Sequence, residues 1–137
     1  MSVRPNNNQK RLKLPRSRIL RGRGSFDQVF EHSQRIKGRT VDVRFLFKDD
    51  APAGILAGFV SAKRTGNAVS RNRNKRLMRE AYRIHQSMLL ESEKLRESAL
   101  RIVFIAHKGK KTFAQVEQDI MTHLDRIRLY AIDSYRG

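Results

Sequence analysis

The residues best suited to chemistry crowd one short stretch: Arg71, Asn72, Arg73, Lys75, Arg76 and Arg79, with Lys63, Arg64 and Asn67 just ahead of them around a Gly66-Asn67 turn. Their chemistry is the gripping of phosphate. Arginine's planar guanidinium meets phosphate oxygens as a fork and stacks on bases, which lysine does not do. The stretch reads as a helix capped by Ser70, whose side-chain oxygen would accept from first-turn amides. On a helix Asn72, Arg76, Arg79 and Arg83 share one side, with Arg71 and Lys75 along its edge, while Leu77, Ala81, Ile84 and Met88 form an apolar stripe. A helix N-terminus is partly positive, so Asp or Glu is expected there, and each cation in that place costs roughly a few tenths of a kcal/mol. No acid appears before Glu80. First-turn amides also bind phosphate. The sequence therefore predicts that the missing anion is a polyanion from outside; a solvated basic face is the plain alternative.

No catalytic constellation stands beside this stretch. His32, His85, His107 and His123 fall on different predicted elements, without the short spacing of a metal site. His85 and His123 sit within helices at partly apolar positions and read as packing or surface residues. A two-metal nuclease needs clustered carboxylates, whereas the acids here are spread over turns and helix faces. The chain reads as a binder, with no catalytic residue and no metal site of its own.

Composition points the same way. Of 137 residues, 30 are Lys or Arg and 13 Asp or Glu, a formal charge of +17 that selects RNA, DNA or an anionic membrane as partner. No apolar run has the length of a spanning helix. Cysteine is absent, which excludes disulfides and thiolate metal sites. No charged segment followed by an apolar one opens the sequence, so a cytoplasmic, soluble nucleic-acid binder is expected.

The elements that must position the basic stretch read in order. Residues 1–18 form a polar, basic arm with little to bury, expected to be disordered when free. Ser25 and Gln28 have the spacing of a capping box, opening a short helix with Phe26, Val29 and Phe30 on one side. Ser33 to Thr40 reads as a basic loop. Thr40 to Lys48 alternates as a strand, and Ile55 to Lys63, apolar on both faces, reads as a central strand paired with it in a hairpin. The basic helix continues to about Leu90, Glu91 to Ser98 reads as a loop, and Arg101 to His107 is a buried strand. Thr112 and Gln115 form a second capping box, before an amphipathic helix carrying Phe113, Val116, Ile120, Leu124 and Ile127 and ending near Tyr130.

The run Gly66-Asn67-Ala68-Val69, Arg71-Asn72-Arg73, Lys75-Arg76-Leu77 and Arg79-Glu80-Ala81 closely resembles the "RNR" signature of the bacterial ribonuclease P protein subunit. The resemblance implies a single α+β domain of αβββαβα order, here residues 19–132 with a short tail at 133–137. Its central sheet would be packed by helices, with a left-handed βαβ crossover, like the second domain of ribosomal protein S5. It implies the accessory subunit of an endoribonuclease whose RNA performs the hydrolysis with bound Mg²⁺. The partners would be ribonuclease P RNA and precursor tRNA, with no membrane and no small-molecule substrate. Carried over, Lys63, Arg64, Asn67, Arg71, Asn72, Arg73, Lys75, Arg76 and Arg79 would bind RNA. Phe26 and Phe30, in the pattern Phe-x-x-Val-Phe, would line a cleft for the single-stranded 5′ leader. Two departures stand out: Asn74 replaces a common aliphatic residue, and Arg44 falls where an aromatic or other cleft-facing residue is common. The alternatives are an RNA-binding structural protein of the ribosome and a DNA-binding protein with its helix in the major groove.

Overall fold

One strand, Ala99–Ala106, organises the sheet, because its residues, apolar apart from Arg101, are buried on both faces. The computed structural model describes residues 12–62 and 67–136, with side chains to Ile132. Lys63, Arg64 and residues 1–11 of the expected arm lie outside the described residues. In chain order the elements are α1 (Arg23–His32), β1 (Gln34–Ile36), β2 (Val41–Lys48), β3 (Gly54–Ser61), α2 (Ala68–His85), α3 (Ser87–Leu90), α4 (Glu93–Glu97), β4 (Ala99–Ala106) and α5 (Phe113–Arg136). This is the α+β order expected, with two added short helices.

The sheet order is β1-β2-β4-β3. β2 pairs antiparallel with β4 (Val43 opposite Phe104), and β3 pairs parallel with β4 (Phe59 opposite Phe104). The expected hairpin of β2 and β3 is therefore corrected: β4 inserts between them, and the Asp49–Ala53 turn joins strands that do not pair. β3, read as central, is an edge strand. Its outer edge is covered by the incoming chain, where the Leu20 N–H donates to Ala57 O at 2.9 Å and Ile19 bridges Ala57. Covering an edge in this way removes a template for aggregation.

The inner face of the sheet presents Val43, Phe45, Ala57, Phe59, Ile102 and Phe104 to Met78 and Tyr82 of α2 and to Val116, Ile120, Leu124 and Ile127 of α5. Each large apolar side chain fully buried there contributes roughly 1.5–3 kcal/mol. The rings of Phe59 and Phe104 stack with centroids 5.7 Å apart, and Tyr82 lies 5.5 Å from Phe104. The outer face is covered more lightly, by Leu20 and by Val29 of α1 against Val103, with Phe26, Leu56, Val60 and Ile105 around them.

Several local expectations are corrected. α1 begins at Arg23, ahead of Ser25, with Gly22 at its N-cap and no side-chain cap. β1 forms within the segment read as a basic loop, pairing with β2. The Glu91–Ser98 loop contains α4, capped by Ser92 and anchored by buried Leu95. α5 runs to Arg136, past Tyr130 and through the expected tail. The Thr112–Gln115 capping box is present: the Thr112 N–H donates to Gln115 Oε1 at 2.9 Å and the Gln115 N–H to Thr112 Oγ1 at 3.1 Å.

The arm expected through Arg18 is docked from Leu12 onward. Arg83 Nη1 donates to Leu12 O at 2.9 Å, Gln86 Nε2 to Lys13 O at 3.1 Å, and Arg18 Nη1 to Gln86 Oε1 at 3.0 Å. Backbone carbonyls here are satisfied by the end of α2, which composition alone does not reveal.

Candidate nucleic-acid interface

α2 buries one side and leaves a basic side open. Its buried residues are Asn74, Met78, Ala81, Tyr82 and His85. Leu77, Ile84 and Met88 are half-buried at the margin, so the core face is rotated from the predicted stripe. Asn72, Arg76 and Arg79 are exposed on the opposite side, with Arg71 and Lys75 half-buried along one flank. The basic side predicted by periodicity is thus present in three dimensions.

The helix cap is corrected from Ser70 to Asn67. Asn67 has extended backbone angles, and its Oδ1 accepts from the Ser70 N–H at 2.9 Å. Removing that acceptor should cost about 0.5–2 kcal/mol. Asn67→Ala is therefore expected to lower the urea midpoint modestly, whereas Ser70→Ala should leave it near wild type; the reverse ranking would restore Ser70 as the cap.

Individual cations on α2 have different surroundings. Arg79 places its guanidinium 5.9 Å from the centroid of Phe59, a cation–π contact that steadies the side chain while leaving it exposed. Arg73 Nη1 donates to Lys111 O at 3.0 Å, tying the first turns of α2 to the β4–α5 loop. Lys111 is buried and donates to the His107 and Gly109 carbonyls. Burial lowers its pKa, and the nearby Arg73 charge lowers it further. Arg83 pairs with Glu80 at 2.6 Å and holds Leu12, so it serves the fold as well as the basic face.

A second surface lies on the outer face of the sheet. Phe30 is 41% exposed, and the Arg44 guanidinium sits 5.7 Å from its ring centroid. Phe26 is half-buried against β3: a Cβ at Gly58 would lie 2.6 Å from its ring, so the close approach needs glycine. Phe26 is thus a floor residue and Phe30 an open platform. Arg44, the departure noted above, extends that platform with a cation.

Two buried carboxylates fix the loops at the end of the sheet where α2 begins. Asp119 Oδ2 accepts from the Thr40 N–H and Oγ1, both at 2.6 Å, and from the Val41 N–H at 3.0 Å. Burial alone would raise the Asp119 pKa, but these donors hold it below the usual carboxylate value. Asp42 accepts from the Gly38 N–H at 3.0 Å and Arg35 at 3.0 Å, and its Oδ1 lies 2.7 Å from His107 Nε2. Burial opposes ionisation here too, yet Gly38, His107 and Arg35 bring the Asp42 pKa down to about 2. His123 and His85 are buried packing residues, as expected. His123 Nε2 lies 2.6 Å from Val41 O, and His85 Nε2 lies 3.0 Å from Glu117. Burial pushes the His123 pKa down. Sequence patterns did not single out Asp42, Asp119, Lys111 or Arg101; an arginine opening an otherwise apolar strand was the one available signal, at Arg101.

A mixed sheet backed by two long helices, with an arginine side on α2 and an aromatic platform on the opposite sheet face, defines an α+β nucleic-acid-binding domain. The family model described as Ribonuclease P matches residues 14–128. The chain belongs to the ribonuclease P protein family and with it to tRNA processing as a subunit of ribonuclease P; nothing supports the ribosomal alternative. It is 32% identical over 127 residues to the ribonuclease P protein component of Chlorobaculum tepidum, covering 88% of this chain and 72% of the relative. It is 30% identical over 118 residues to that of Brevibacillus brevis, covering 85% and 87%. The fold is similar to the RNase P proteins of Staphylococcus aureus (TM-score 0.63, 22% identity, covering 81% and 94%) and Thermotoga maritima (TM-score 0.63, 23% identity, covering 79% and 96%).

Proposed function

We propose that the chain holds ribonuclease P RNA with the basic side of α2 and the single-stranded 5′ leader of precursor tRNA with the outer face of the sheet. The observation that carries this reading is the exposure of Asn72, Arg76 and Arg79 on one side of a helix whose other side is core. Phosphate contacts from these cations give affinity without sequence choice. Asn72 adds a side chain able to bond a base or a 2′-OH, the group that distinguishes RNA from DNA. Stacking on Phe30 tolerates any base and is worth roughly 1–3 kcal/mol per base, which suits leaders of varied sequence. Among the described residues no three of His, Asp and Glu gather as a metal site; in this reading Mg²⁺ and the hydrolytic step belong to the RNA subunit. The site of action is the cytoplasm. No helix among the described residues is long and apolar enough to cross a membrane.

The test is cleavage of precursor tRNA at low Mg²⁺ by the cognate RNA, with and without the chain, beside a protein-only control. Stimulation only when both are present is the expected result. Cleavage by the protein alone would move catalysis to this chain, and RNA binding without stimulation would refute the assignment. In an equilibrium-binding assay with the RNA and the chain together, Phe30→Ala should weaken binding of long-leader precursor tRNA by roughly 1–3 kcal/mol per stacked base lost while sparing mature tRNA. Equal losses for both ligands would take Phe30 out of the leader site.

A further inference from the structure

A pocket of about 440 Å³ opens on the outer face of the sheet, on the flank of α1 opposite Phe30. At about 100° per residue, Ser25 and Gln28 mark this flank, Phe30 marks the other, and Val29 points to the sheet between them. Apolar walls come from Leu20, Leu46 and Leu56, and the cations Arg21, Lys48 and Arg101 share the lining with no carboxylate. The volume is within the range of small-ligand sites, roughly 300–1,000 Å³.

Arg101 is 8% exposed. Its Nη1 donates to Gly54 O at 2.9 Å and Leu100 O at 3.2 Å, and its Nη2 to Pro52 O at 3.1 Å. These bonds staple the turn ahead of β3. They use three of the guanidinium's five N–H groups, leaving the Nε–H and one Nη2 N–H without a protein acceptor among the described residues. All three partners are neutral carbonyls, so the charge itself has no counter-ion there. A buried cation without one is costly, and burial lowers the pKa of Arg101 accordingly. Lys48 reinforces the same site, its Nζ donating to Gln28 Oε1 at 2.6 Å. Stapling a turn accounts for the three carbonyl contacts. It does not account for two further cations gathered on an apolar-walled hollow.

We propose that this pocket seats a nucleotide, its phosphate on Arg101, Arg21 and Lys48 and its base on the Leu20, Leu46 and Leu56 walls. The nucleotide is either a free nucleoside phosphate or one residue of single-stranded RNA, since the chemistry is the same; only the second case rests on the function proposed above.

The full chain, with its arginines labelled for NMR, is titrated with adenosine 5′-monophosphate, adenosine, inorganic phosphate and a short oligoadenylate. Adenosine 5′-monophosphate should move the Arg101 Nε–H signal, with adenosine and inorganic phosphate binding about tenfold more weakly. Arg21→Glu and Lys48→Gln, which leave the turn staple intact, should each weaken the nucleotide by about tenfold. Arg128→Ala, a cation on α5 paired with Asp125, should not. Oligoadenylate binding more tightly through the same residues identifies an RNA strand as the occupant, and equal binding a free nucleotide. An unmoved Arg101 signal, inorganic phosphate binding as well as the nucleotide, or equal losses in Arg21→Glu and Arg128→Ala would each overturn the site. Leader selectivity of Phe30→Ala is read separately, so either idea can fail while the other stands.

Discussion

Arg76→Ala combined with Arg79→Ala should weaken binding of ribonuclease P RNA by on the order of 100-fold at low salt, because each charge-assisted contact is worth about 1.5–3 kcal/mol, or roughly tenfold or more. The same variant should flatten the salt dependence, log K against log[salt] losing about 0.7–0.9 for each phosphate contact removed. Both residues are exposed, so the urea midpoint should move by little more than the loss of the Arg79–Phe59 contact, about 0.5–1 kcal/mol at an exposed site. Arg128 lies on α5, where it pairs with Asp125, and Arg128→Ala removes one charge from that helix instead. It should leave the slope near wild type. An unchanged slope in the double variant would remove the basic side of α2 from the interface, and equal effects in Arg128→Ala would reduce the result to net charge.

That prediction uses the part of the site most legible in sequence. Helical periodicity put Asn72, Arg76 and Arg79 on one side because it depends only on local geometry. It misjudged the centre of the buried side, since Leu77 and Ile84 look more apolar than Asn74 and His85. Yet Asn74 and His85 are both buried, and His85 is admitted by its bond to Glu117 of α5. Ser70 and Asn67 are both good caps by residue type, and the choice was made by where the chain leaves extended geometry. The β2–β3 pairing expected from the sequence fails for a different reason. Strands consecutive in sequence often pair, but here β4 arrives from much later in the chain and takes the central place. Alternation within β2 and β3 is the same in either arrangement. Arg101 was hidden likewise: a strand pattern shows that its neighbours are buried, while the carbonyls of Pro52 and Gly54 that receive it come from a distant turn. Phe26 and Phe30 share a motif, and only the bare backbone at Gly58 separates the floor ring from the open one.

The carboxylates at the α2 end of the sheet link stability to the interface. Asp119 holds Thr40 and Val41, and the His107 N–H donates to Thr40 O at 2.9 Å, so the β1–β2 and β4–α5 loops are fixed together. Those loops carry Lys37, Arg39, Lys108 and Lys110. Asp119→Ala leaves three buried or half-buried donors without their charged acceptor, and should cost at least about 3 kcal/mol out of a total of roughly 5–15. Asp119→Asn keeps one acceptor oxygen and should fall between the two. The pH dependence has a fixed sign. Asp42 and Asp119 both have pKa values depressed in the folded chain, so the folded state binds fewer protons than the unfolded state. Their contribution is complete above about pH 5 and is lost as pH falls from about 4 toward the folded value of about 2 at Asp42. His123, also depressed by burial, adds acid sensitivity of the same sign, beginning as pH falls below the ordinary histidine value of about 6.5. Urea midpoints measured from pH 7 to pH 3 should therefore decline in the wild type, and below pH 4 they should decline less steeply in Asp119→Asn. A wild-type midpoint that stays level, or an Asp119→Ala midpoint equal to it at pH 7, would show that the loops are held without this carboxylate. If the loops are held by it, Asp119→Ala should also weaken RNA binding at a temperature where the variant remains folded, because Lys37 and Arg39 then lose the backbone that fixes their positions relative to α2.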